Sequence, residues 1–118
     1  MSQDQDQANN IASIHLDIAE LLAQAEHDVH YDVDESVTVS STAKILTASK
    51  YGNRSEAFIT VEVAAVRWWT GDTPPTATVG HLLNVGDVIK LHSALDIQNI
   101  KFIRKDGADA TLRCSYGH

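Results

Sequence analysis

Four residues near one end of this sequence have the types and spacing of a metal site. His27 and His30 are three apart, and Asp32 and Asp34 follow. A structural zinc centre needs four ligands held in fixed geometry. The stretch between these residues has no helical periodicity to hold them together, so exposed connector polarity is the expected account and no metal is assigned. The Asp-x-Asp-Glu run also lacks the spaced ligands and central glycine of a calcium loop. Cys114 is the only cysteine, which rules out an internal disulfide framework and a cysteine-rich zinc site. It alternates with apolar residues of the same parity, Ala110, Leu112 and Tyr116. Core packing is therefore expected for it, because free cysteine is among the most buried residue types. Glu62 and Asp87 could be paired as carboxylates, but nothing separates them from surface acids. No nucleophile elbow, phosphate loop, dinucleotide-binding glycine pattern or H-E-x-x-H helix is present. No catalytic residue, cofactor or metal ligand is assigned, and an enzyme is not expected.

Trp68 and Trp69 carry a different kind of chemistry. Neighbours on a strand face opposite sides, so one indole enters the core, and Trp68, in register with Val66, is the expected one. Trp69 then faces outward or lies beneath Pro74 and Pro75. An outward indole can anchor a protein contact or stack on a sugar.

The elements that position these residues fall into two parts. Residues 1–36 read as an acidic arm and residues 37–118 as one β domain. The formal net charge is −7. Residues 1–43 contain no Lys or Arg and hold nine acidic residues, a balance of −9, whereas residues 44–118 balance at +2. An acidic arm is repelled by phosphate backbones, so nucleic acid is not an expected partner. No apolar run approaches the ~20 residues of a membrane span. The first residues lack the basic start of a secretory signal, and manufacture in a cytoplasm is expected.

In the arm, Ile11, Ile14, Ile18 and Leu21 recur at three and four, with Leu16 and Leu22 widening the apolar side. Asn10, Ser13, Asp17, Glu20 and Gln24 form the opposite, polar stripe. The pattern predicts a helix over residues 10–26, capped by Asn9 or Asn10. A helix this short needs packing to persist. Its apolar stripe either lies on the chain's own β domain or meets other subunits, and Ile at both core-like heptad positions favours trimers or tetramers over dimers. The expected interface residues are Ile11, Ile14, Ile18, Leu21, Leu22 and Trp69. Residues 26–36 read as a connector.

From Val37 onward, short alternating runs are separated by turns at intervals that predict an antiparallel β-sandwich or jelly-roll-like domain. Ala57–Trp69 is the strongest run, with a parity switch around Ala64 and Ala65 that predicts a bulge or break. Thr76–Val79 is a candidate edge strand, and Asp87–His92 another strand. Residues 100–104 and 110–116, separated by Lys105-Asp106-Gly107, are expected to form a hairpin. Val66, Trp68, Ile103, Leu112 and Tyr116 are the expected core.

Residues 57–116 also carry a recognisable order: Val66-Arg67-Trp68; Gly71-Asp72-Thr73-Pro74-Pro75-Thr76-Ala77-Thr78-Val79-Gly80-His81; Gly86-Asp87; Ile100–Arg104; and Ala110-Thr111-Leu112 before Tyr116. This order resembles small β-rich structural domains of tailed bacteriophages. Cys114 stands where that pattern usually has a β-branched residue, and the arm lies outside it. The resemblance implies a virion structural protein, with a capsid decoration or cement protein as the leading expectation. The implied partners are the major capsid protein or other virion proteins, and further copies of the chain. A neck, tail or fibre-base adaptor, or a small carbohydrate-binding module using Trp69, are the alternatives.

Overall fold

The computed structural model describes residues 29–118, which are mainly β. Eight strands occur in the order β1 (Tyr31–Val39), β2 (Lys44–Ile45), β3 (Glu56–Glu62), β4 (Val66–Trp69), β5 (His81–Leu83), β6 (Val88–Leu91), β7 (Lys101–Arg104) and β8 (Ala110–Gly117). Two short helices interrupt them, α1 (Ala48–Tyr51) and α2 (Ala94–Asn99). The strands form two four-stranded antiparallel sheets, ordered β1-β8-β3-β6 and β2-β7-β4-β5. Strand 1 thus pairs with 8, 2 with 7, 3 with 6 and 4 with 5, as in one long two-stranded ribbon. The β8–β3 and β7–β4 pairings then join the turns of that ribbon side to side.

Alternation decides which residues enter the interior. In the first sheet Val37, Val39, Ala57, Ile59, Val61, Ala110, Leu112, Cys114 and Tyr116 are buried, and the second sheet contributes Val66 and Phe102 to the same cluster. Leu112 has no exposed surface, and truncating such a leucine to alanine costs about 2–5 kcal/mol. Ile97 and Ile100 fill one end from α2 and the residue after it. The α2 N-terminus is held by Ser93, whose hydroxyl accepts from the Asp96 backbone N–H at 3.4 Å, the side-chain cap that a helix start favours.

The expected parity break is a change of sheet. β3 belongs to the first sheet and β4 to the second. Between them the Ala64 N–H donates to the Glu62 carbonyl at 3.0 Å, with Val63 at φ 77°. This three-residue turn is unusual for a β-branched residue. It reverses the inward parity within a few residues, which lets one strong β segment serve both layers.

Four expectations are corrected. Residues 31–36 are strand, not connector, because β1 starts at Tyr31 and pairs with β8 as far as Gly117. Its outward acids are partnered: Arg54 clamps Asp32 with bonds of 2.7 and 2.9 Å, and the Ser115 hydroxyl donates to Asp34 at 2.6 Å. The β7–β8 hairpin does not form, since the turn after Arg104 carries the chain from one sheet to the other. Thr76–Val79 is a tight loop, and the edge strand is His81–Leu83. Ile103 is only partly buried while its neighbour Phe102 is fully buried, so the parity of that strand is one residue from the expected one. Val66, Leu112 and Tyr116 are in the core, and Trp68 packs against it from a partly buried position. The helix expected over residues 10–26 lies outside the described residues.

Candidate interaction site

Two parts of the order singled out in the sequence, Val66–Trp68 and Pro75–His81, come together around β4. Arg67 projects from that strand and holds the loop that follows it. Its Nε donates to the Ala77 carbonyl at 2.9 Å and its Nη1 to the Gly80 carbonyl at 3.0 Å. Within the loop, the Thr76 hydroxyl accepts from the backbone N–H groups of Thr78 and Val79. Pro75 is buried. Gly80 sits at φ 137°, and a Cβ there would lie 3.2 Å from Arg67 Cβ, Pro75 Cβ and the Trp68 carbonyl. Only glycine fits that backbone without strain. His81 then lies tilted against Trp68, centroids 4.6 Å apart and planes at 42°, and meets Trp69 edge-on at 5.0 Å. The Val-Arg-Trp strand and the Pro-Pro to Gly-His loop are therefore one rigid unit.

The Gly86-Asp87 turn is a second such unit. The Asn84 N–H donates to the Asp87 carboxylate at 2.7 Å. Gly86 N–H donates to the Val61 carbonyl at 2.8 Å, and Val61 N–H to the Asp87 carbonyl at 3.1 Å, docking the turn on β3.

Cross-strand register sorts the outer faces. In the second sheet Ile45, Lys101 and Trp69 form one row, and Ile103, Arg67 and Leu82 the next. Directly opposed residues share a face, and Phe102 between the two β7 members points inward, so all six lie on the outside. Ile45 is 53% exposed and Leu82 42%. Trp69 is half-buried on this face. The outer face of the first sheet is mixed and carries charges of both signs: Phe58 and Val88 lie on it, Arg113 donates to Glu62 at 2.9 Å and to Ser36 at 2.6 Å, and Lys90 sits 5.6 Å above the Phe58 ring. A shallow hollow of about 360 Å³ opens there, lined by Asp34, Glu35, Ser36, Arg113, Cys114 and Ser115.

Cys114 does not present a thiolate to that hollow. The Cys114 thiol is buried, and burial pushes its pKa up to about 12, whereas reactive cysteines are held as thiolates near neutral pH. Beside it the Tyr116 hydroxyl donates to Glu35 at 2.6 Å, and burial raises the pKa of that phenol as well. Asp32 is held down to about 2, first by its hydrogen bonds from Arg54. Among the described residues no group of three or more His, Cys, Asp or Glu side chains could hold a metal ion. His30 pairs through its backbone with His118, and His27 is outside the described residues. Glu62 and Asp87 do not act as a pair, one accepting from Arg113 and the other from the Asn84 backbone.

Of the expected interface residues, Trp69 is on the outer face just described, and Ile11, Ile14, Ile18, Leu21 and Leu22 lie outside the described residues. Sequence reasoning did not find Ile45, Leu82, Ile103, Arg67 and Lys101 as that face's other members. The signal was the absence of any acidic residue from β2, β4, β5 and β7. No family model matches the chain, and no curated protein or solved structure matches it.

Proposed function

We propose that this protein is a non-enzymatic structural component of a tailed-bacteriophage virion, a capsid decoration or cement protein whose β domain is a jelly-roll sandwich. The observation that carries the reading is the strand order, 1-8-3-6 over 2-7-4-5. A ribbon wound into two sheets is the jelly-roll plan, and that plan recurs in viral capsid and lectin domains. Because fold alone does not define function, the Arg67-clamped loop adds the second support. It builds into one unit two parts of the order that resembles phage structural domains, Val66–Trp68 and Pro75–His81.

The proposed partners are the major capsid protein or other virion proteins, with self-association through the arm. A cement protein binds the assembled shell better than free subunits, so shell stability rises as sites fill. The test is to add purified protein to particles that lack it and then heat them. Saturable binding across the shell with genome release at higher temperature is expected. Binding confined to one vertex or the tail transfers the protein to the neck, tail or fibre-base class, and glycan binding without particle binding transfers it to a carbohydrate-binding module.

A further inference from the structure

We propose that the outer face of the β2-β7-β4-β5 sheet is the docking surface for the N-terminal arm of a second copy of this chain, with the arm's apolar stripe seated on Ile45, Ile103, Trp69 and Leu82. This rests on the self-association part of the reading above, not on the identity of the particle.

The face and the arm are complementary in charge. The four strands of this sheet carry Lys44, Arg67, Lys101 and Arg104 and no acid. Its two outward cations are bonded to main-chain carbonyls: Arg67 to Ala77 and Gly80, and Lys101 Nζ to Gly71 at 2.8 Å and Asn99 at 3.2 Å. Among the described residues neither lies within ion-pair distance of a carboxylate. The other sheet has five acids and two of the Lys/Arg cations in its strands, so an acidic ligand is steered to this one. Residues 1–28 supply that ligand chemistry, with six acids and no Lys or Arg. Asp17 and Glu20, on the polar stripe of the expected helix, would face Arg67 and Lys101 from beside the seam.

The dimensions agree as well. From Ile11 to Leu22 a helix extends about 17 Å. Four strands at ~4.8 Å spacing and four residues at ~3.3 Å give a face with a diagonal of roughly 17 Å. A sheet face with apolar rows is the ordinary partner of a helix with one apolar stripe.

The exit point of the arm favours a neighbour over self-docking. His30 leaves from the edge strand of the opposite sheet, where its N–H and carbonyl are both bonded to His118 at 3.1 and 3.2 Å. The β2-β7-β4-β5 face of the same chain belongs to the other layer, and only residues 26–30 separate the expected helix from β1.

The test uses the full chain in a Cys114→Ala background. One tagged preparation carries Ile14→Cys or Ile18→Cys and a second carries Leu82→Cys or Ile103→Cys. On mixing and mild oxidation, at least one arm–face combination is expected to give a disulfide-linked heterodimer, and Thr60→Cys on the opposite outer face is expected to give none. In the chain with its natural cysteine, Leu82→Glu and Ile45→Glu, both at exposed positions, are expected to weaken self-association by at least roughly ten-fold in sedimentation experiments. Linkage only within a doubly substituted chain would assign the face to its own arm and overturn the proposal. So would heterodimers formed equally with Thr60→Cys, a protein that stays monomeric at all concentrations, or Glu variants that self-associate normally. Mass is read without particles, so failure here is distinct from failure to bind a capsid.

Discussion

Cys114 shows how much a single side chain depends on its row. It lies opposite Glu35 on one side and Ile59 on the other, facing the core, and burial raises its thiol pKa from near 9 to about 12. A group whose folded pKa lies above its unfolded value stabilises the fold fully below the unfolded pKa, and that contribution is lost as the pH rises through the folded one. The window here runs from about pH 9 to about pH 12. The raised phenol of Tyr116 acts in the same direction. Denaturation midpoints are therefore expected to fall as pH rises from 9 towards 12, and to fall less steeply, though still measurably, in Cys114→Ala. At pH 8 a thiol reagent should label the native chain only as fast as it opens. Rapid labelling without unfolding would place the thiol on the polar hollow instead.

Elements were legible in the sequence where alternation alone fixed them. Ile59, Val61 and Val63 against Thr60 and Glu62 predicted a strand, and the switch after them predicted the break that Val63 now makes between sheets. Partner choice was not legible. The Lys105-Asp106-Gly107 turn predicted a local reversal, but a reversal does not specify which sheet receives the next strand, and β8 inserts between β1 and β3. The start of β1 was hidden by Asp32 and Asp34, whose charges read as a connector until Arg54 and Ser115 are seen to pair with them. The α2 start is written in Ser93, whose hydroxyl caps the Asp96 N–H, but six residues are too few to display a helical period in the sequence. The loop from Gly71 to Gly80 depends on one glycine. Gly80→Ala, at φ 137° with three atoms 3.2 Å from the new Cβ, is expected to cost about 1–3 kcal/mol in denaturant unfolding. Gly107→Ala, which would meet nothing within 4 Å, should stay within about 0.5 kcal/mol of the parent. Equal costs at the two glycines would remove the clamp from the account of this loop.

At the scale of the whole molecule the dominant feature is the division of charge. The first 43 residues carry −9 and the remainder +2, and the basic part is concentrated further in one sheet. The described residues share a single apolar cluster fed by both sheets, a core that residues 29–118 can build between themselves. Removal of residues 1–28 is therefore expected to leave the thermal midpoint of the β domain within a few degrees of the full chain, since a shift of 4–8 °C corresponds to about 1 kcal/mol in a domain of this size. Self-association should respond differently. An interface between an acidic arm and a basic face weakens with salt, because the screening length shrinks from about 30 Å at 0.01 M to about 8 Å at 0.15 M. The apolar contacts of Ile45, Leu82 and Trp69 do not depend on salt in this way. The full chain is expected to dissociate partly, not completely, as salt rises over that range, while the truncated chain stays monomeric throughout. Sedimentation at the two salt concentrations reads both outcomes. Association of the truncated chain as strong as that of the full chain would move the interface from the arm to the β domain itself.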